Sequence, residues 1–322
     1  DESVSYAGNL LSLDDGEIQG TGQLDIALAD AGGLARIVGA GGLSLPEAQG
    51  SAQLHFEGDR VVTLSGIGGK SGETGFSGDL SLSRTGGNAT VSGAIAVDMV
   101  SVEGLAATLF GPAALVDGSD VWPEGPIAQG DETRRTRGTV TVSAGALTAG
   151  GVERLGKTGF ELNWDETRTR LARFEAVADL GSIGLDLTVC CAGPLADRTV
   201  SGRMTLATVP LDMVATPAVA GMLNSLVDGG VQFEATGGSL AELLGVMAGE
   251  GNFTLSGLTV EQLSPGIYPT VAGLEDVLNM EPEAMGGIMD RALGQGVFTA
   301  PTATGAFTIA GGVVRLTNFI VD

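Results

Sequence analysis

The side chains able to do chemistry are few and poorly spaced for it. His55 is the one histidine of the chain, so any Ser-His-Asp or Cys-His relay has to use it. It stands between Leu54 and Phe56. On a strand, a residue between two apolar neighbours points to the opposite, wet face. No nucleophile motif accompanies it, so His55 reads as a surface residue and not as a general base. The two cysteines, Cys190 and Cys191, are adjacent. On a strand they would point to opposite faces and be poorly placed for an unstrained mutual disulfide. They are expected to be packing residues, with redox or intermolecular chemistry as the alternative. One histidine and one vicinal cysteine pair cannot supply a tetrahedral zinc site. The expectation is therefore no catalytic residue, no metal site and no cofactor.

Three further clusters invite a functional reading. Gly69-Lys70-Ser71 looks like the end of a phosphate loop, but that motif needs a glycine where Leu64 stands and a strand-loop-helix context. A hairpin loop is the simpler reading. Asp14-Asp15 and Asp117-Gly-Ser-Asp120 lack the spacing of a calcium loop and read as solvated turn acids. Arg134-Arg135-Thr136-Arg137 could meet a lipid phosphate or an acidic partner, although charge runs usually belong to a wet connection. The formal net charge is −23 with only 16 Lys+Arg. Such a surface repels phosphate backbones, which argues against nucleic acid as a partner.

What dominates the chain is a period of two. Leu24, Ile26 and Leu28 alternate with polar or small residues, as do Leu54 and Phe56, Leu80 and Leu82, and Val91, Ile95 and Val97. The same pattern continues through Val140 and Val142; Phe160, Leu162 and Trp164; Ile183, Leu185, Leu187 and Val189; and Met204 and Leu206. Alternation of this kind predicts antiparallel strands with one dry and one wet face. Turn signals divide them at Asp15-Gly16, Gly58-Asp59, Gly86-Gly87-Asn88, Asp165-Glu166 and Gly311-Gly312. About seventeen strands result; at ~4.8 Å apart a single meander would be roughly 80 Å long, and it must twist and curl. The 53 glycines show no collagen-like period and read as turns and bulges.

Helices punctuate the meander. Thr216 and Pro217 read as N-cap and first residue of a helix carrying Ala218, Val219, Met222, Leu223 and Leu226, closed by Gly229, with a strand over Val231–Ala235. Ser239 and Glu242 form a capping box for Leu240–Ala248, and Gly251 opens the next strand. Further helices are expected over Asp30–Gly39, Val102–Phe110 and Thr270–Met280, and from Pro282 to Gly294. The polar stretch 117–137 divides a β-sheet segment 1–116 from a second segment 138–322, unless the sheet is continuous across it. No apolar run reaches the ~18 residues of a membrane span. The start at Asp1 and the end inside a strand suggest a piece of a longer protein.

The order of a strand, Gly237-Gly-Ser-Leu-Ala-Glu-Leu-Leu244, Gly249-Glu-Gly251 and a second strand resembles the C-terminal part of the AsmA-like family of Gram-negative envelope proteins. Trp122-Pro123, Val140–Leu147, Gly159–Asp165 and Gly184–Leu187 resemble that family's middle repeats, and Thr302–Phe319 its closing hairpin. The resemblance implies an elongated β-groove in a periplasmic protein anchored in the inner membrane, with a role in outer-membrane biogenesis or lipid homeostasis. It implies no catalytic residue.

The fold expectation is thus a mainly β, elongated and curled antiparallel sheet with short helical inserts. The function expectation is non-enzymatic binding or transfer of phospholipid acyl chains along an apolar lining of Phe160, Leu162, Trp164, Ile183, Leu185, Leu187, Val189, Met204 and Leu206. On an open groove, Leu187→Asp should leave the fold intact and block lipid. The alternative is a scaffold for envelope proteins, built on a closed β-sandwich in which two such faces cover each other.

Overall fold

A computed structural model describes residues 3–12, 18–30, 47–58, 60–85, 88–116, 122–127, 136–178, 180–191, 198–215, 217–273, 281–294 and 296–322. The turn acids Asp14, Asp15, Asp117 and Asp120, the arginines Arg134 and Arg135, all but Asp30 of the helix expected over Asp30–Gly39, and most of the one over Thr270–Met280 lie outside the described residues.

Alternation has its predicted consequence: the strands join in one sheet. In chain order they are β1 (Ser3–Ser12), β2 (Ile18–Leu28), β3 (Ala48–Glu57), β4 (Val61–Ser71), β5 (Thr74–Thr85) and β6 (Asn88–Ser101). Then come β7 (Thr136–Ala149), β8 (Val152–Leu155), β9 (Thr158–Trp164), β10 (Arg168–Val177), β11 (Ser182–Cys190) and β12 (Arg198–Pro210). The last are β13 (Leu223–Gly237), β14 (Ala248–Val260), β15 (Phe298–Ala310) and β16 (Val313–Val321). Neighbours in sequence are neighbours in space from β1 to β16, with short β8 hanging from β7, and the ends do not meet to close a barrel. All the described strands belong to this one sheet, so no second sheet faces it among the described residues.

The meander is antiparallel except at one joint: β6 and β7 pair in parallel, Val91 opposite Gly138 and Ile95 opposite Val142. A parallel pair requires a crossover. Here it begins with α1 (Val102–Phe110), capped where Ser101 Oγ accepts the Gly104 N–H at 3.0 Å. A short 3-10 helix, Pro112–Leu115, follows. The sheet therefore runs on across the polar stretch 117–137. Within that stretch Trp122–Ile127 lies against the molecule: the Ile127 N–H donates to Gly238 O at 2.9 Å, the Ala241 N–H donates to Pro123 O at 3.2 Å, and Ile127 is buried.

Two helical expectations change. α2 covers only Pro217–Ala220, and Leu223 and Leu226 belong to β13. Leu223 is laddered to Val260 of β14, and from Leu226 onward the chain is held on both sides, with Val227 opposite Val209 and Leu255. A short helix of marginal stability cannot compete with two ladders. α3 (Leu240–Val246) keeps its expected start but ends sooner, because β14 already begins at Ala248. Ser239 Oγ accepts the Glu242 N–H at 3.1 Å, while Glu242 Oε2 accepts the Gly238 N–H at 2.8 Å, one residue before the expected partner. Removing this cap by Ser239→Ala is expected to lower stability by roughly 1 kcal/mol; an unchanged urea midpoint would refute the role of the cap. α4 (Ile267–Ala272) and α5 (Pro282–Leu293) complete the helices, and α5 ends at Gly294 as its sequence predicts.

Candidate functional site

The registers place every apolar alternation on one face of the sheet. Leu187 stands beside Leu171 on β10, and Leu185 beside Met204, Ile183 beside Leu206 and Val189 beside Val200 on β12. Across β13 to β16 the same face continues through Val231, Phe233, Phe253, Phe307 and Leu316. In the other direction it runs through Leu162, Val140, Ile95, Leu80, Leu64 and Leu54 to Leu24 and Tyr6. All nine residues expected to line a groove lie on this face.

They are not equally accessible. The crossover lands on the middle of the face, where Leu109, Ala114 and Ile127 form one buried cluster with Phe160, Leu171, Phe174, Leu187 and Val189. Phe160 and Phe174 stack there at 6.2 Å between ring centres. Leu162, Ile183 and Leu185 are part-buried at the margin of this cluster. Met204 and Leu206 are part-buried outside it. Trp164 belongs to a second cluster with Val91 and Val140; their exposures are only 4, 1 and 5 %. Among the described residues, the hydrophobic side chains packed on this second cluster all come from its own and adjacent strands: Leu80, Leu82, Ile95, Val142 and Leu162. Side chains of a flat single layer keep one side in water. Burial this deep by same-face neighbours is what a sheet curled toward its apolar face produces.

Two devices make the curl, and neither is a hydrophobic pattern. The first is an aromatic ring laid over a cross-strand glycine. A Cβ on Gly138 would meet Trp164 Cζ2 and Cη2 at 2.6 Å, and one on Gly202 would meet Phe233 Cζ at 2.7 Å. Phe307 covers Gly251, and Phe253 covers Gly305. Phe253 also sits 6.3 Å from Phe307 and 6.2 Å from Phe319, a row of rings across three strands. The second is a recurrent bulge. Leu64-Ser-Gly-Ile67, Leu171-Ala-Arg-Phe174, Leu206-Ala-Thr-Val209 and Leu255-Ser-Gly-Leu258 each put a left-handed residue third, at φ 60, 51, 53 and 65°. At the first three the pairing slips, and the freed N–H donates to an aspartate of the next strand: Gly66 to Asp79 at 2.8 Å, Arg173 to Asp186 at 3.2 Å, Thr208 to Asp228 at 2.9 Å. Bulges bend and twist a strand, and these carboxylates hold them. The sequence signal was available as an alternation that breaks from two to three after a leucine.

The polar residues singled out from the sequence stay apart from one another. His55 is exposed on the polar face, opposite Thr21 and Thr63. Gly69-Lys70-Ser71 is not a loop: it is the last part of β4, paired on both sides. Cys190 and Cys191 are bonded to each other across a cis peptide, against the expectation. The alternation argument needs both residues on a strand, and β11 ends at Cys190. Among the described residues no three His, Cys, Asp or Glu side chains group as metal ligands, and no helix is long and apolar enough to cross a membrane.

Two acids are held below the usual carboxylate range. Glu103 Oε1 accepts the Gly150 N–H at 2.7 Å. Asp165 Oδ1 accepts the Thr167 N–H at 2.8 Å, with the Arg168 N–H at 2.9 Å and the Thr167 hydroxyl at 3.1 Å, which builds the β9–β10 turn. A carboxyl whose folded pKa is depressed contributes stability that is complete above its unfolded value and lost as pH falls through the folded one. The urea-midpoint difference between the wild type and Asp165→Ala is therefore expected to be full at neutral pH and to shrink once pH falls below ~4. A difference independent of pH would show that the turn does not depend on the charge.

Compared with protein-family models, curated proteins and solved structures, the chain matches none.

Proposed function

We propose that this chain is a non-enzymatic lipid-binding or lipid-transfer segment whose curled apolar face shields phospholipid acyl chains from water. One observation carries the reading: the apolar face is continuous across the strands from β1 to β16, and the described strands all belong to that one sheet. Burying a methylene gains ~0.8 kcal/mol, so a C16 chain gains on the order of 10 kcal/mol from a continuous lining alone. No specific polar anchor is required, and the head group stays in water. The lining proposed for this role is the part outside the crossover: Met204, Leu206, Val231, Phe253, Phe307 and Leu316. The resemblance to the AsmA-like family adds the periplasm as location, an inner-membrane anchor on the parent chain, and outer-membrane lipid homeostasis as the process served.

A second reading, a scaffold for envelope proteins, draws on β16. Among the described residues this strand pairs only with β15, and Val314, Leu316, Phe319 and Ile320 are exposed along it. An unpaired strand edge accepts a further strand. Native mass spectrometry of the purified chain separates the two. Co-purified phospholipid is the expected result; a lipid-free chain that also takes no lipid from vesicles would overturn the lipid reading.

A further inference from the structure

The face opposite the apolar one carries a feature at odds with the charge of the whole chain. A concavity of about 550 Å³ opens over β6, β7, β9, β10 and β11, lined by Arg137, Arg168 and Arg170 together with Thr139, Asn163 and Thr188. Three of the 16 Lys+Arg of a chain of net charge −23 thus converge on one depression. Among the described residues the one carboxylate in its lining is Asp165, and a single oxygen of it already accepts three hydrogen bonds of its own turn. Asp186, which lines the neighbouring concavity, pairs with Arg170, its Oδ1 3.3 Å from Arg170 Nη2.

The donors are already arranged. Arg137 Nε donates to Thr90 Oγ1 at 3.1 Å, a bond that orients the guanidinium and leaves its terminal nitrogens out of it. The Thr139 hydroxyl donates to Asn163 Oδ1 at 2.7 Å, which fixes the Asn163 amide so that its NH2 is the half offered to a ligand. Planar guanidinium forks match the oxygens of phosphate in pairs. At physiological ionic strength charges interact over ~8 Å, so the distant acids that make the chain anionic are screened while the arginines of one concavity are not.

We propose that this concavity is an oxyanion site for a phosphate group, either a free phosphomonoester or the head group of an anionic lipid. It lies on the face opposite the apolar lining and stands whether or not that lining carries acyl chains.

The test titrates inorganic phosphate and glycerol 3-phosphate into the full chain and follows the arginine side-chain and Asn163 amide resonances by NMR. Saturable shifts with a dissociation constant on the order of millimolar are expected, weakened about tenfold by Arg137→Gln and by Arg168→Gln. Both residues are exposed, so both variants keep the fold. Arg203→Gln, on the neighbouring concavity, serves as the charge control and should bind as the wild type does. Vesicles of phosphatidylcholine with and without phosphatidylglycerol separate the two sources. Binding that needs phosphatidylglycerol and is lost in Arg137→Gln supports a head group; soluble phosphates bound without vesicle binding support a free phosphomonoester. Absence of saturable shifts, or equal weakening by Arg203→Gln, overturns the site.

Discussion

Leu187→Asp is expected to unfold the middle of the sheet, and Met204→Asp to leave it folded but without lipid. The two residues share one apolar face and sit on adjacent strands. Leu187 is 8 % exposed and lies within the cluster that the crossover closes with Leu109, Ala114 and Ile127. A carboxylate there has no partner and no water, and the cost is several kcal/mol. Met204 lies outside that cluster and is part-buried. Its replacement by aspartate can keep the charge hydrated, so the loss of stability should stay within about 1 kcal/mol. If acyl chains occupy this face, the same charge blocks them. Urea unfolding and native mass spectrometry on both variants decide the matter. Unfolding of Met204→Asp would mean that the face is a closed core there. A folded Met204→Asp that retains its lipid would place the lipid elsewhere. The burial of Leu187 thus reverses the outcome that the open-groove reading gave for this variant.

Gly138→Ala is expected to destabilise by about 1–3 kcal/mol, although it adds a single methyl group to a strand. The Trp164 indole fills the place of the missing side chain, and its Nε1–H donates to Thr136 Oγ1 at 3.2 Å, which holds the ring there. Val91 O also stands 2.5 Å from the position of the new carbon. The ring must move, and it is part of the cluster that buries Val91 and Val140. Gly245→Ala should have the opposite sign. Gly245 lies in α3 with open space where its Cβ would be, so alanine should stabilise by up to ~1 kcal/mol through helix propensity. Chemical denaturation of both variants checks the contrast. Equal effects would show that the ring-over-glycine contact carries no energy.

The alternation of apolar and polar residues determined the strands, their dry face and all nine residues on it, because a period of two is a local property of a pleated chain. Gly311-Gly312 likewise marked the β15–β16 turn, where both residues take positive φ, 58 and 71°. The cap at Ser239 was legible for the same reason: its partners lie within four residues. Tertiary structure decided what depends on partners distant in sequence. Whether Leu223 and Leu226 become helix or strand was settled by ladders to β12 and β14. The parallel joint of β6 and β7 set the crossover over Phe160, Leu187 and Val189 and left Met204 and Leu206 outside that cover. The aspartates that hold the bulges act across 13 to 20 residues of sequence, and Arg137 meets Arg168 and Arg170 only because β7, β9 and β10 are neighbours. Pattern specifies which way a side chain faces; only the pairing of strands specifies what it faces.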